Sequence, residues 1–376
     1  MKRIKGLSLV ELLVSLAVGI ILMTGVTQVF LSAKTSYTTQ QGLGRIQENA
    51  RFLVEMIGKD LRNSGFGGCG KLAQKITTKN LDDDLKTFVN YLNQESANLY
   101  DFSRPAIGFD NVSGNTVLAT NTSVSPLAGT DVFILKTTTE ITGILAESSE
   151  STPNSIKINV TNTNEDDCSY GGVVSDRVSG FCRGDIMMVS TCEKTFVFQA
   201  TDINPTTGVI EHETNADAGS TFTPGNSSST WKDDMAQDAE LYKINTIAYY
   251  IRNDPATNRP ALFAYSSDTT PAETLLISDV ENMQIRYGVD TSTNASTVND
   301  GTAEIYQTAD SIVDPSKIVS VDFSFLLASP DPVLTTAQTI SFNGTPATYS
   351  DKRLRQVVNF TVTVRNRMTT ATAAGI

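Results

Sequence analysis

Apolar positions along the chain follow two regimes that meet near residue 64. From Leu12 to Leu31 they form an almost unbroken run, with a carboxylate, Glu11, at its head. Past Leu31 they thin to a stripe. Leu43, Ile46, Ala50, Leu53, Ile57 and Leu61 recur at spacings of three and four, one face of an α-helix. Gln47, Glu48, Arg51, Glu55, Lys59 and Arg62 fall largely on other faces. Asn63-Ser64-Gly65-Phe66-Gly67-Gly68 then supplies glycine and turn residues that stop a helix. The pattern predicts one helix from Leu7 to Asn63, on the order of 85 Å long at about 1.5 Å per residue. About 20 apolar residues cross the hydrocarbon core of a bilayer, so residues 7–31 can span it. Residues 32–63 must instead dock their stripe on the C-terminal head. Gly19, Gly25, Gly42 and Gly44 are either points where the helix loosens or small residues for close packing.

After Gly70 the period changes from helical to alternating. Asp131–Lys136, Ser155–Val160, Asp185–Val189, Thr195–Gln199, Asn245–Ile251 and Met283–Tyr287 are short runs rich in β-branched and aromatic residues. Two later runs alternate best. Val319, Val321, Phe323, Phe325 and Leu327 share one face, as do Val358, Phe360, Val362 and Val364. Such period-two runs predict strands with one buried face in antiparallel sheets. Leu81–Leu92 reads as a short helix, and the Ser/Thr/Asn/Asp/Gly-rich stretches Glu211–Ser229 and Asp290–Thr302 read as loops. The polar residues before Trp231 are either a linker between two lobes or a surface excursion. The fold class is therefore α+β: a long N-terminal helix, transmembrane then amphipathic, packed on a head rich in antiparallel sheet (residues 64–376).

Charge fixes the orientation of the anchor. Lys2, Arg3 and Lys5 precede Gly6 and the apolar run, which places the N-terminus on the cytoplasmic side and the head in the periplasm. A secretory signal puts its small cleavage-site residue after the run; here Gly6 lies before it. Glu11 is the anomaly, because a charge in the bilayer core costs roughly 2.5–3.5 kcal/mol on insertion scales and marks a functional site. Net charge is −12, and loss of residues 1–6 with their three cations would make it −15. That balance argues against phosphate binding by the whole surface. Four cysteines, Cys69, Cys168, Cys182 and Cys192, lie beyond the anchor and read as two disulfides in an oxidising compartment. Three pairings exist. A straight strand between Cys182 and Cys192 keeps those two apart, and the Gly-rich loop between Cys168 and Cys182 can close. The preferred pairs are Cys168–Cys182 and Cys69–Cys192.

Lys5-Gly6-Leu7-Ser8-Leu9-Val10-Glu11-Leu12 resembles the class III leader of type IV prepilins. It departs from the commonest pattern in having Leu7 in place of phenylalanine. The resemblance implies that prepilin peptidase cuts between Gly6 and Leu7 and that Leu7 is then N-methylated. Further blocks resemble PilW-type minor pilins: Ser64–Cys69, Gly184–Cys192, Val280–Asp290 and Arg353–Arg367. The likeness implies a pilin-like fold in the inner membrane, then at the pilus tip. It also implies a complex with other minor pilins and the major pilin that starts assembly and carries a PilY-type tip protein. Adhesion, twitching motility and DNA uptake are the functions such a complex supports. The freed α-amine of Leu7 is a natural partner for Glu11 of a neighbouring helix, and their pairing would set the register between subunits.

The sequence offers little for catalysis. His212, the one histidine, lies in a polar stretch and reads as a surface residue, so a His-based triad or multi-His metal site is unavailable. No G-x-S-x-G elbow, phosphate loop or EF-hand is present, and no cofactor is implied. Asp82–Asp84 and Glu165–Asp167 could offer oxygens to Ca²⁺, but consecutive carboxylates converge poorly, so no metal site is expected. Arg353, Arg355, Arg365 and Arg367 form a candidate contact for nucleic acid or a partner, with solubilising charges as the alternative. Two other readings are a J-type minor pseudopilin of type II secretion and a signal-anchored periplasmic binding protein or enzyme.

Overall fold

The computed structural model begins with one helix, α1 (Leu9–Asn63), and continues almost entirely in strands. It describes residues 8–68, 88–93, 98–102, 104–112, 125–147, 155–160, 165–170, 173–192, 194–216, 218, 221–231, 235, 239–267, 273–292, 301–314 and 317–364. The strands are β1 (Phe88–Asn90), β2 (Ala106–Val112), β3 (Thr130–Glu147), β4 (Ser155–Ile158), β5 (Glu165–Tyr170), β6 (Val173–Arg177), β7 (Ile186–Ser190) and β8 (Thr195–Gln199). Next come β9 (Asp202–Ile203), β10 (Val209–Glu211), β11 (Glu240–Asn253), β12 (Pro260–Ser266), β13 (Glu273–Ser278) and β14 (Val280–Val289). The last are β15 (Ile305–Gln307), β16 (Ile318–Pro332), β17 (Gln338–Phe342), β18 (Thr345–Tyr349) and β19 (Arg353–Thr363). The chain divides into two units: Met1–Arg51 with Leu327–Gln356, and Phe52–Leu326 with Val357–Ile376.

In the first unit, the helix has no apolar cover from Leu9 to Leu31, and its polar residues turn inward instead. Ser15, Thr24, Thr27 and Thr35 donate their hydroxyls to the carbonyls four residues back, at 2.7–2.9 Å. A hydroxyl satisfied within its own helix tolerates an apolar surrounding. Farther on, Gly42 meets the chain after β16. A methyl group at Gly42 would stand 3.3 Å from Ser329 Cβ and 3.4 Å from Val333 Cγ2. Thr39 Oγ1 donates to the Val333 carbonyl at 3.1 Å, and Ile46 is buried. The contact line thus runs through Gly42 and Ile46. Leu43, expected on the buried stripe, lies to one side of it and is 37% exposed. The glycine at 42 therefore serves close packing, whereas Gly19, Gly25 and Gly44 face open space.

The second unit holds the larger core. Leu53, Ile57 and Leu61 of α1 are fully buried in it, as the stripe predicts. The main sheet has eleven strands, with the path β1-β8-β7-β11-β3-β4-β10-β9, while β12, β13 and β2 pair off that path. Its pairs are antiparallel apart from β1 with β8. A four-stranded sheet runs β15-β14-β16-β19, and β16 and β19 continue into the first unit. Phe133 of β3 bridges the two sheets, edge-on to Phe323 at 5.1 Å. Asp131 does the same with hydrogen bonds, accepting Asn111 N–H at 2.9 Å and Ile285 N–H at 2.7 Å. Burial pushes its carboxyl up to about 6 against those donors.

The stretch from Leu81 to Leu92 departs from the expected helix where it is described. Phe88–Asn90 forms β1, because Val89 and its neighbours register on Phe196 and Val197 in a ladder that a local pattern does not reveal. Residues 81–87 lie outside the described residues. Nor does Trp231 mark a boundary between the two units. It packs in one buried cluster with Tyr91, Phe196 and Phe198 from earlier in the chain and with Leu241 from later.

The polar stretch from Glu211 to Ser229 is stitched down rather than loose. Asn226 Oδ1 accepts Gln199 N–H at 2.7 Å, and its Nδ2 donates to the Gln199 carbonyl at 2.7 Å, imitating a strand partner. Asn215 brackets the Phe222 amide and carbonyl in the same way, both at 3.0 Å. Phe222 is thereby held buried, stacked on Tyr170 at 5.2 Å.

Candidate functional site

No cleft with convergent acids, bases or nucleophiles stands out among the described residues, and no three of their His, Cys, Asp or Glu side chains converge as metal ligands would. The feature that asks for a function is α1. Its most apolar 18-residue window has a mean hydropathy of 2.4 and no buried residue, enough in length and composition to cross a membrane. Glu11 sits in the first turn of this exposed segment, where a carboxylate also meets the positive end of the helix. The helix begins with Leu12 N–H donating to the Ser8 carbonyl at 3.2 Å. Gly6 and Leu7, the expected cleavage and methylation residues, lie outside the described residues.

The far end of α1 is fixed by a lock that the sequence pattern did not announce. Asp60 accepts a hydrogen bond from the Tyr249 hydroxyl of β11, and both lie against the buried stripe. Burial raises the Asp60 carboxyl above its usual range despite that bond, and burial, then the carboxylate beside it, pushes the Tyr249 phenol up. The helix stops where Ser64 N–H returns to the Asp60 carbonyl at 2.9 Å and Gly65 takes φ +73°. Ser64 Oγ then donates to the Pro105 carbonyl at 2.8 Å, and Ser190 Oγ to the Gly67 carbonyl at 2.6 Å. The signal that could have found this lock is a carboxylate three residues past Ile57, beside the stripe position Leu61.

Of the cysteines, Cys168 and Cys182 are joined, with Cα atoms 5.7 Å apart. Their bond ties the β5–β6 hairpin to the turn that precedes β7. Cys192 is also disulfide-bonded. Its expected partner, Cys69, lies outside the described residues.

His212 is not at the surface. It is fully buried, stacked on Trp231 at 4.4 Å and 14°, and edge-on to Phe198 at 5.5 Å. Neither ring nitrogen has a hydrogen-bond partner among the described residues, and desolvation lowers its pKa to about 3. Its polar sequence neighbours concealed a ring whose packing partners are the aromatic residues of β8 and Trp231.

The arginine patch is also corrected in part. Arg353 and Arg355 are buried rather than presented to nucleic acid or solvent. Arg353 Nε donates to the Ser329 carbonyl at 2.6 Å. Arg355 binds both oxygens of Asp351 at 2.7 Å and lies 3.8 Å over the Tyr349 ring. That guanidinium holds the Asp351 carboxyl down, to about 2. A planar cation with a bidentate partner and a ring face below it is a structural anchor. Arg365 and Arg367 lie outside the described residues. So do Asp82–Asp84 and the side chains of Glu165–Asp167.

Comparison with known proteins converges on the same two regions. Residues 1–27 match the prokaryotic N-terminal methylation motif, and residues 248–366 match the family of type IV pilus-assembly protein W. Among solved structures, a type IV-like pilin from Thermus thermophilus (TTHA1219) is 16% identical, with a TM-score of 0.22, over 34% of this chain and 70% of its own. No curated protein matches the sequence. With a pilin methylation motif over residues 1–27 and a type IV pilus-assembly protein W match over residues 248–366, the chain is similar in these two regions to PilW-type type IV pilins.

Proposed function

We propose that this protein is a minor pilin, which joins a minor-pilin complex to initiate type IV pilus assembly and sits at or near the pilus tip. The observation that carries this reading is the apolar first half of α1, exposed at every position from Leu9 to Leu31 and headed by Glu11. A surface of that length needs lipid at one stage and protein at another. Prepilin peptidase removes residues 1–6 by cutting between Gly6 and Leu7, and Leu7 is then N-methylated. Before assembly the chain crosses the inner membrane once, N-terminus cytoplasmic and head periplasmic. Residues 7–31 then become filament core, residues 32–63 link them to the head, and Cys69–Cys192 completes the second disulfide.

Glu11 supplies the register. A carboxylate in lipid gains most from a desolvated cation, and the α-amine of Leu7 on an adjacent subunit is one. The pairing fixes how far one helix slides along the next, while the apolar flanks supply contact area. The head acts by binding other pilins and a PilY-type tip protein rather than by catalysis. Adhesion, twitching motility and DNA uptake follow from the filament.

The test is Glu11→Val. Processing and membrane insertion should be unchanged, since valine removes a charge from an apolar segment, whereas incorporation into pili should fall sharply. Normal incorporation and piliation by that variant would refute the register mechanism.

A further inference from the structure

Strand β19 closes the four-stranded sheet, paired with β16 on one side and with no described strand on the other. Val364 N–H donates to the Val319 carbonyl at 2.9 Å, and Thr361 Oγ1 reaches Asp322 Oδ1 at 2.9 Å. These pairs set an antiparallel register in which Val364 turns its backbone inward. Alternate residues of such a ladder turn both N–H and C=O to the same side. Val358, Phe360 and Val362 therefore bond toward β16, while Val357, Asn359, Thr361 and Thr363 aim their amides and carbonyls off the edge. Arg355 has the same outward parity, and there the Gln338 side chain takes both groups, at 2.7 and 2.9 Å. The edge is thus capped where the strand begins and open for its next four outward residues.

Proteins blunt such edges with shortness, charge, proline or a bulge. The other edges of the two large sheets do so. β1, β9 and β15 are two or three residues long, β2 carries Asp110, and β13 has six residues against eleven in β19. From Gln356 to Val364 (QVVNFTVTV), β19 has no charge, no proline and no glycine.

We propose that the open edge of β19, from Val357 to Thr363, receives a strand from the head of a neighbouring pilin-class subunit, which extends the sheet across the interface. The proposal rests on the minor-pilin reading and deepens it by naming the surface and the mode of contact. The occupant is an extended, uncharged, β-branched segment: backbone pairing supplies the bonds, and alternate side chains supply selectivity. On a chain of net charge −12, this neutral run lets another head approach without like-charge repulsion.

Two experiments on the full chain, expressed with its native pilus machinery, test it. Asn359→Pro deletes one outward N–H and leaves the ladder to β16 intact, and Asn359→Lys places a charge on the open edge. Each should reduce recovery of other pilins with the detergent-solubilised chain by roughly tenfold, the loss expected for one to two strand-pairing bonds, whereas Asn359→Thr should not. A photocrosslinking amino acid at Asn359 in the otherwise unchanged chain should form an adduct with a different pilin, and it decides the matter if either variant misfolds. Adducts only with residues 365–376 of the same chain, with a second copy or with a non-pilin, or no adduct, overturn the proposal. So does undiminished recovery with folded Pro and Lys variants. Glu11→Val run in parallel separates the two claims. If it blocks incorporation while the edge variants incorporate normally, the edge proposal fails and the pilin reading stands; if all three incorporate, the edge proposal and the register mechanism both fail while the pilin reading stands.

Discussion

A buried imidazole with no hydrogen-bond partner among the described residues makes the protein sensitive to acid at one residue. His212 is neutral in the fold, with its pKa lowered by desolvation from 6.5 to about 3. A depressed pKa means that its contribution to stability is complete above about pH 6.5 and is lost as pH falls from there toward 3. By pH 4.5 the loss is on the order of 2–3 kcal/mol. Asp131 has the opposite sign: its raised carboxyl favours the fold at low pH, and that contribution is lost as pH rises through about 6. Comparing His212→Phe with the parent chain cancels the aspartate. The variant should lose less stability than the parent between pH 7 and pH 4.5, read from urea midpoints by the fluorescence of Trp231, the single tryptophan stacked on this ring. Equal losses would show that His212 is not the group concerned. The Asp60 lock is tested by Tyr249→Phe, which leaves a largely buried carboxylate without its donor. That should cost about 1–3 kcal/mol in denaturant unfolding.

At the scale of elements, the helix was more legible than the sheets, for a physical reason. An α-helix writes its packing face into a period within one segment, so Ile46, Leu53, Ile57 and Leu61 could be read directly as its buried face. Strands depend on partners far away. β3 runs from Thr130 to Glu147, well past the apolar run ending at Lys136, because a threonine-rich continuation pairs with β11. Lys136 itself is buried with its ammonium donating to the Asn98 carbonyl at 2.6 Å, a contact no local pattern announces. Arg353 and Arg355 misled because Ser329 of β16 receives the first and the turn before β19 folds Asp351 and Tyr349 onto the second. Gly42 is the element-level test on the helix side. Gly42→Leu puts a branched side chain where even a methyl would stand 3.3 Å from Ser329 Cβ, and should destabilise the first unit by about 1–3 kcal/mol in thermal unfolding. The Cys168–Cys182 bond spans 14 residues, so replacing both cysteines with serine should cost about 3 kcal/mol by the loop-entropy estimate.

For the whole molecule, two blocks of sequence do different work. The expectations for processing and membrane insertion rest on the leader and the apolar half of α1, where membranes impose strict length and charge rules. Surfaces of the head, such as the edge of β19, are legible only after folding. The central claim is that this chain is processed as a pilin and enters the filament. Mass spectrometry of its N-terminal peptide, recovered from sheared pili, tests that most directly. The account predicts a peptide in the filament fraction that begins at N-methylated Leu7. A chain found only in membranes, beginning at an intact Met1, would contradict it.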